Sequence, residues 1–390
     1  MKIKMYEVNF GECILYQIEN KKLLVDCGAK FGDKGKGAYE RIKNELDSQT
    51  KLIITHFDED HYNGILEIPS DYQFEEIILP LYVCNEGEIN YTMDMFYDTL
   101  YVWTYMIAMG YDTKINSMHR LFLKLPSLVK SVNDIKCVKK GDYISIGEEK
   151  IEILWPRDNS SVKYKTYRRI ISNLMKEAET EDNKEELDAF KEYADKYVSL
   201  FIKIYKFFTI NNKDSDRVTD ILNNNLMELD KCYNRLLEKK MNIELNEFGF
   251  KRINNINQMK IKHMNECSIV FRIGEEVIAF GDVSERIIKY LSRNTKDYNM
   301  EYKVVKVQHH GTRAYWSRNL PGARKYLVSN SGDKRIGWSI YEKYGEKYRA
   351  EMICTNNNRN RCGYLKNGKQ CIFCNLGKNE DYYEVNTNNI

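Results

Sequence analysis

Proline is scarce in this sequence, 5 in 390 residues, and glycine numbers only 21. That excludes fibrous repeats and Pro-rich linkers. Net charge is almost absent: 60 Lys+Arg face 57 Asp+Glu, leaving +3. A generally basic coat that binds nucleic acid by charge alone is therefore ruled out. Long apolar runs are missing as well. The longest, around residues 100–111, is short and broken by Thr104, so no transmembrane helix is expected. The first residues, MKIKMYEVNFGECILYQI, lack the apolar core and small-residue cleavage site of a signal peptide. The expectation is a soluble, cytoplasmic protein with no membrane partner. Its ten cysteines are then thiols or metal ligands rather than disulfides. What is present, 43% hydrophobic and 30% charged residues, suits a globular chain with an ample core.

Short apolar runs read as strands at 1–8, 13–18, 22–27, 51–55 and 77–83, with a helix near 41–46. The pattern turns helical over 90–132, then returns to strands at 135–138, 140–146 and 149–155. From about 159 to 256 it is helical again. Leu187, Phe190, Ala194, Tyr197, Phe201 and Tyr205 recur at helical spacing, as do Val218, Leu222, Leu229, Tyr233 and Leu236. Two amphipathic helices around the polar stretch 209–216 form a hairpin in this reading, a packing or dimerisation element or a docking surface for a protein partner. Strands resume at 268–273, 276–280, 302–308 and 325–329, with a helix at 338–348. The expected organisation is one α/β domain interrupted in the middle. Residues 1–157 form its first half (helical over 90–132), 158–258 the insertion, 259–355 the second half, and 356–390 a Cys-rich tail.

The segment K-L-I-I-T-H-F-D-E-D-H-Y-N-G, residues 51–64, carries the chemistry. An apolar strand delivers His56 at its end, and Asp58, Asp60 and His61 follow within five positions. Such residues converge only where the chain turns tightly, as a strand-to-helix loop does. Two carboxylates and two imidazoles packed this closely call for a cation to hold them. Further ligand-capable residues follow strands in order: Asp26 in L-L-V-D-C-G, Asp282 in A-F-G-D, and His309 and His310 in V-Q-H-H-G-T. His119, in the helical region, reads as a packing or surface histidine.

This series resembles the metallo-β-lactamase superfamily, which implies an α/β fold of the αββα sandwich type, here with a large helical insertion. The H-x-D-x-D-H form, with Asp58 where the superfamily usually has His, is similar to the hydrolase domain of ComEC-type competence proteins. So are the runs Gly141–Pro156 and Asn265–Ser268, the G-D pair at 281–282, and H-H-G-T at 309–312. The resemblance implies two divalent metal ions, zinc or manganese. His56 and Asp58 would hold one; Asp60, His61 and one of His309 or His310 the other; Asp282 would bridge. His309 is favoured as the ligand, with His310 facing substrate and taking part in catalysis beside Asp60. Asp26 would orient the ligands or the attacking water. The usual third-motif histidine is missing, and Asn265 stands in its place, with His263 as runner-up.

A carboxylate in place of an imidazole hardens the site and shifts preference from zinc towards manganese. The implied activity is a phosphodiesterase or nuclease on nucleic acid or nucleotides. Rivals are a small-molecule hydrolase opening a lactam, lactone or thioester, a hydrolase effector of a defence or regulatory system, and an inactive metal-binding scaffold. Residues 301–390 hold about sixteen Lys+Arg against about eight Asp+Glu. Arg313, Trp316 and Arg318 follow the histidine pair and are the candidate phosphate and base contacts, with Lys334 and Arg335 further on. Cys354, Cys362, Cys371 and Cys374 form C-x7-C-x8-C-x2-C. Only the last pair has zinc-knuckle spacing, so free thiols are favoured over a structural zinc. Cys27 and Cys267 read as buried fillers.

Overall fold

A computed structural model describes residues 1–8, 11–29, 35–82, 91–111, 114–157, 168–209, 216–239, 247–312, 317–329, 350–355 and 382–390. The strands of the first half are buried along most of their length, as strands covered on both faces are. Strands β1 (Lys2–Tyr6), β2 (Cys13–Ile18) and β3 (Lys21–Cys27) form an antiparallel meander. Parallel strands β4 (Thr50–Ile53), β5 (Glu76–Pro80) and β6 (Ile135–Val138) then extend the sheet. Between them lie helices α1 (Gly35–Ile42), α2 (Glu59–Tyr62), α3 (Tyr91–Ala108) and α4 (Ile115–Lys124).

The second sheet repeats the plan. Strands β7 (Tyr143–Ile146), β8 (Glu149–Trp155), β9 (Val270–Ile273) and β10 (Val277–Phe280) are antiparallel neighbours. Strands β11 (Tyr302–Lys306), β12 (Ala323–Val328) and β13 (Glu351–Cys354) add in parallel. Strand β14 (Tyr382–Asn386) pairs antiparallel with β1, so each sheet has seven strands. The end of the stretch read from sequence as a tail is thus an edge strand of the first sheet. Its exposed–buried alternation, with only Val385 fully buried, is too short to register as a strand by periodicity.

Ile3, Ile14, Val25 and Ile53 from one sheet meet Ile153, Phe271, Val277 and Val304 from the other in a core between the sheets. The outer face of the second sheet is covered by α9 (Glu285–Asn294), whose Ile287, Ile288 and Leu291 pack on Val305 and Tyr326. The outer face of the first takes all the other long helices. The result is an αββα layering, a metallo-β-lactamase fold carrying a helical insertion.

Four helices of that insertion are described: α5 (Arg168–Glu177), α6 (Lys184–Phe207), α7 (Asp216–Glu238) and α8 (Glu247–Glu266). The sequence reading recognised only α6 and α7, the two longest of the four. On α6, Leu187, Phe190, Ala194, Tyr197, Phe201 and Tyr205 are all buried. Their core is continuous with the outer face of the first sheet, through Leu15, Leu24, Leu52 and Leu79. The Tyr205 hydroxyl accepts from Tyr82 N at 2.9 Å and donates to Pro80 O, stitching α6 to the end of β5. Helix α8 runs past the anticipated boundary at 258 to Glu266, where Trp155 Nε1 donates to Glu266 O at 2.6 Å. The expected helix at 338–348 lies outside the described residues. Among those described, no helix is long and apolar enough to cross a membrane.

Glu76 ties three adjacent strands together: it faces Lys51 on β4 at 2.8 Å and also pairs with Lys136 on β6. Burial alone would raise its pKa, but the two ammonium groups hold it below the ordinary value. A depressed carboxylate pKa stabilises the fold above the unfolded value, about 4.3, and that contribution is lost as pH falls through the folded one. Glu76→Gln should therefore cost about 1 kcal/mol near pH 7. Urea-melt midpoints of the two proteins should converge below about pH 4; a gap independent of pH would deny the ion pairing.

Candidate metal centre

Parallel strands running the same way place their C-terminal ends on one edge, where ligand-bearing loops gather. Here the ends of β3 and β4 meet those of β10, β11 and β12. Ile269 N donates to Thr55 O at 2.9 Å and closes one sheet against the other. Gly281 makes this closure possible: a Cβ there would sit 2.6 Å from Ser268 Cβ and 3.2 Å from Thr55 Cβ.

Asp26 organises the near side. Its carboxylate is fully buried and accepts from Thr55 N, Thr55 Oγ1 and His61 Nδ1, each at 2.7 Å. It adopts φ 55°, a left-handed conformation that a non-glycine residue holds only under constraint. Asp58 caps α2 by accepting from Glu59 N at 3.0 Å, and the resulting turn presents Asp60 and His61 one residue later. On the far side, Ser268 Oγ accepts from Asp282 N at 3.1 Å while donating to Asn265 O at 2.6 Å.

Three histidines share one logic. His61 Nδ1 is bound to Asp26, His310 Nδ1 donates to Ser329 O at 3.0 Å, and His56 Nδ1 lies 3.2 Å from Thr55 Oγ1. Each ring is thereby held with Nε2 towards the carboxylates. The Nε2 atoms of His56, His61 and His310 stand 3.9, 3.5 and 3.7 Å from Asp282 Oδ2, and His310 Nε2 is 3.4 Å from Asp60 Oδ2. Tethering one imidazole nitrogen so that the other is aimed is how metal-ligating histidines are oriented.

His56, His61 and Asp282 bring ligand atoms within 4.8 Å of one another, and so do Asp60, His61 and His310. His56 Nε2, His61 Nε2 and Asp282 Oδ1 are buried without a hydrogen bond of their own, which is costly for polar atoms unless a cation accepts their lone pairs. The donor set of imidazole nitrogens and carboxylate oxygens fits divalent metal.

Burial, reinforced by repulsion from His61, pushes the His56 pKa down to about 3, so its imidazole is neutral and ready to ligate. Burial would lower His61 too, but Asp282 and Asp26 raise it well above the usual value. Burial would raise Asp282, yet His309, His61 and His310 hold it far below the carboxylate range. Asp60 is likewise lowered, by His310 and His61 against burial.

The two residues of the histidine pair, of which His309 was the expected ligand, take different partners. His310, fully buried, joins Asp60 and His61, whereas His309 turns Nδ1 to Asp282 Oδ2 at 3.3 Å and to Asn265 Nδ2 at 3.4 Å. The reason is the turn: both residues have positive φ, 43° and 53°, which swings the second ring inward onto Ser329. Asn265 reaches the site from the end of α8. His263 instead lies 3.8 Å from Glu266. Asp58 is not in any of these ligand groups; its carboxylate contacts Lys114. His119 packs inside the helical layer, stacked on Tyr233 and 3.1 Å from Asp230. Arg318 is exposed, and Cys354 is buried at the end of β13. Arg313, Trp316, Lys334, Arg335, Cys362, Cys371 and Cys374 lie outside the described residues.

Three neighbours of the centre were not anticipated. Glu12, in the β1–β2 connection, groups with Asp26 and His61. It is buried against Lys306, whose Nζ also donates to Phe280 O at 3.0 Å. Burial outweighs Lys306 and raises the Glu12 pKa. A lysine inside the apolar run Tyr302–Val307 was the available signal. Lys114 had none, since its closeness to Asp58 is purely tertiary.

The layered fold carries at this edge histidine and aspartate groups able to hold metal. Residues 6–88, which include Asp26 and the whole His56–His61 motif, match the family model described as the metallo-beta-lactamase superfamily. Members of that superfamily are mostly hydrolases. A comparison with curated proteins finds no match.

Asp26→Asn keeps the volume but weakens the anchoring of His61. Zinc or manganese affinity, read by calorimetric titration, should fall roughly 10- to 100-fold with the circular dichroism unchanged. Unaltered affinity would show that Asp26 has no part in orienting the ligand.

Proposed function

We propose that the protein is a metal-dependent phosphodiesterase acting on nucleic acid or nucleotides, of the ComEC-like type. The observation that carries this reading is the donor set. Asp60 and Asp282 join three imidazoles, with Asp58 two residues before Asp60, and carboxylates in the donor set harden the site towards ions that in turn neutralise a phosphate.

On this reading His56 and Asp282 would hold one ion, and Asp60, His61 and His310 the other. Such ions supply Lewis acidity and a nucleophile at neutral pH. The chain's own groups do the rest. Asp26 and Ser329 keep the rings of His61 and His310 from turning, so the ligands need no reorganisation during reaction. His309 is the most exposed of the four histidines, at 9% against 0% for the others, and stands at the mouth. It is placed to hand a proton to the leaving oxygen. Asn265, beside it, would position a substrate oxygen. Arg318, exposed beyond the histidine turn, would meet a phosphate further along the strand.

The test offers purified protein with manganese, zinc or chelator to single- and double-stranded DNA, RNA, bis-p-nitrophenyl phosphate and a chromogenic lactam. Manganese-dependent phosphodiester cleavage is expected, falling at least about 1000-fold in Asp60→Ala. Lactam or thioester turnover with inert nucleic acids would replace this reading with the small-molecule one. Arg318→Ala should weaken nucleic-acid cleavage more at low salt than at high salt, while sparing bis-p-nitrophenyl phosphate. Equal loss on both substrates would remove Arg318 from the phosphate path.

A further inference from the structure

Asp58 stands next to the centre yet belongs to neither ligand group, and the cause is a residue from the helical layer. Lys114, the residue preceding α4, extends its Nζ onto Asp58 Oδ1. Both side chains are largely buried, at 24% and 18% exposure. The pair does not stand alone. One turn further along α4, Ser117 Oγ contacts Glu59 Oε1 and accepts from Tyr62 OH at 3.0 Å. The first turn of α4 is therefore fastened to both ends of the four-residue helix that carries Asp60 and His61.

The two fastenings differ in kind. Ser117 makes neutral-donor contacts to Glu59 and Tyr62, which belong to neither ligand group. Lys114 instead places a full positive charge on the one carboxylate of H-x-D-x-D-H that lies outside the ligand groups. A cation binding beside His56 would draw on the same carboxylate whose Oδ1 already carries Lys114 Nζ and Glu59 N, and the ammonium both fixes the direction of that carboxylate and offsets its charge.

We infer that Lys114 is a positioning residue that governs the His56 side of the centre: it holds Asp58 away from the ions and keeps that half of the site weaker and exchangeable. The inference rests on the metal-centre reading but not on the choice of substrate. The Asp60–His61–His310 half, which Lys114 does not touch, is the tighter of the two. Occupancy of the His56 half then depends on how α4 is seated, which gives the helical layer a direct hand in the chemistry.

The experiment is calorimetric titration of zinc and of manganese into the full-length chain without substrate. Wild type should bind two ions with separated affinities. Lys114→Met should tighten the weaker step about 10-fold, the scale of one charge-assisted hydrogen bond, and leave the tighter step in place. Lys114→Arg should restore the wild-type separation, and Ser117→Ala, which loosens the same helix contact without altering charge at Asp58, should not change it. In an Asp58→Asn background Lys114→Met should no longer tighten the weaker step. An unchanged or weakened step in Lys114→Met would overturn the inference, as would a tightening reproduced by Ser117→Ala, which would assign the effect to helix packing. Wild type that binds no metal would overturn the metal-centre reading itself.

Discussion

The carboxylate of Asp26 is the joint on which the centre depends. It receives Thr55 N, Thr55 Oγ1 and His61 Nδ1, each at 2.7 Å, and so locks the end of β3, the end of β4 and the first helical turn beyond it into one arrangement. Fully buried carboxylates are costly unless their lone pairs are filled, and these are. With His61 unable to rotate, its Nε2 has one direction to face. Asp282 meets it there from the other sheet.

That meeting needs the sheets to close at their edges, and the sequence supplies the means at both sides. Gly281 removes the side chain that would collide with Ser268 and Thr55, while Ser268 and Asn265 form the turn that orients Asp282. Beneath them the buried Glu12–Lys306 pair bridges the β1–β2 connection and β11. An internal ammonium there offsets part of the negative charge that Glu12, Asp26, Asp60 and Asp282 bring to one edge. Burying such a pair is seldom a net gain in stability, so its value is better sought in the charge balance of the site.

The helical insertion is not an appendage. Its apolar stripe joins the outer face of the first sheet in one continuous core, and Tyr205 and Trp103 anchor it by hydrogen bonds to Tyr82, Pro80 and Asn257. Through α4 the helical layer also reaches the metal loop itself.

Much of this was legible beforehand, for reasons of periodicity and local chemistry. Short apolar runs announced the sheets, helical stripes announced α6 and α7, and the density of ligand-capable residues from His56 to His61 marked the cluster that gathers at the sheet edge. Asp26, Asp282 and the histidine pair were visible because each ends an apolar run, and the ends of parallel strands share an edge. The sequence by itself determined the kinds of layer and the set of ligand-capable residues. Tertiary structure decided the rest: that His310 rather than His309 sits with Asp60 and His61, that Asp58 is held by Lys114, that Glu12 lies on Lys306, and that 382–386 closes the first sheet. Each of these turns on distances between residues far apart in the chain, or on a single backbone angle such as the positive φ of His309 and His310, and neither leaves a trace in the spacing of residue types.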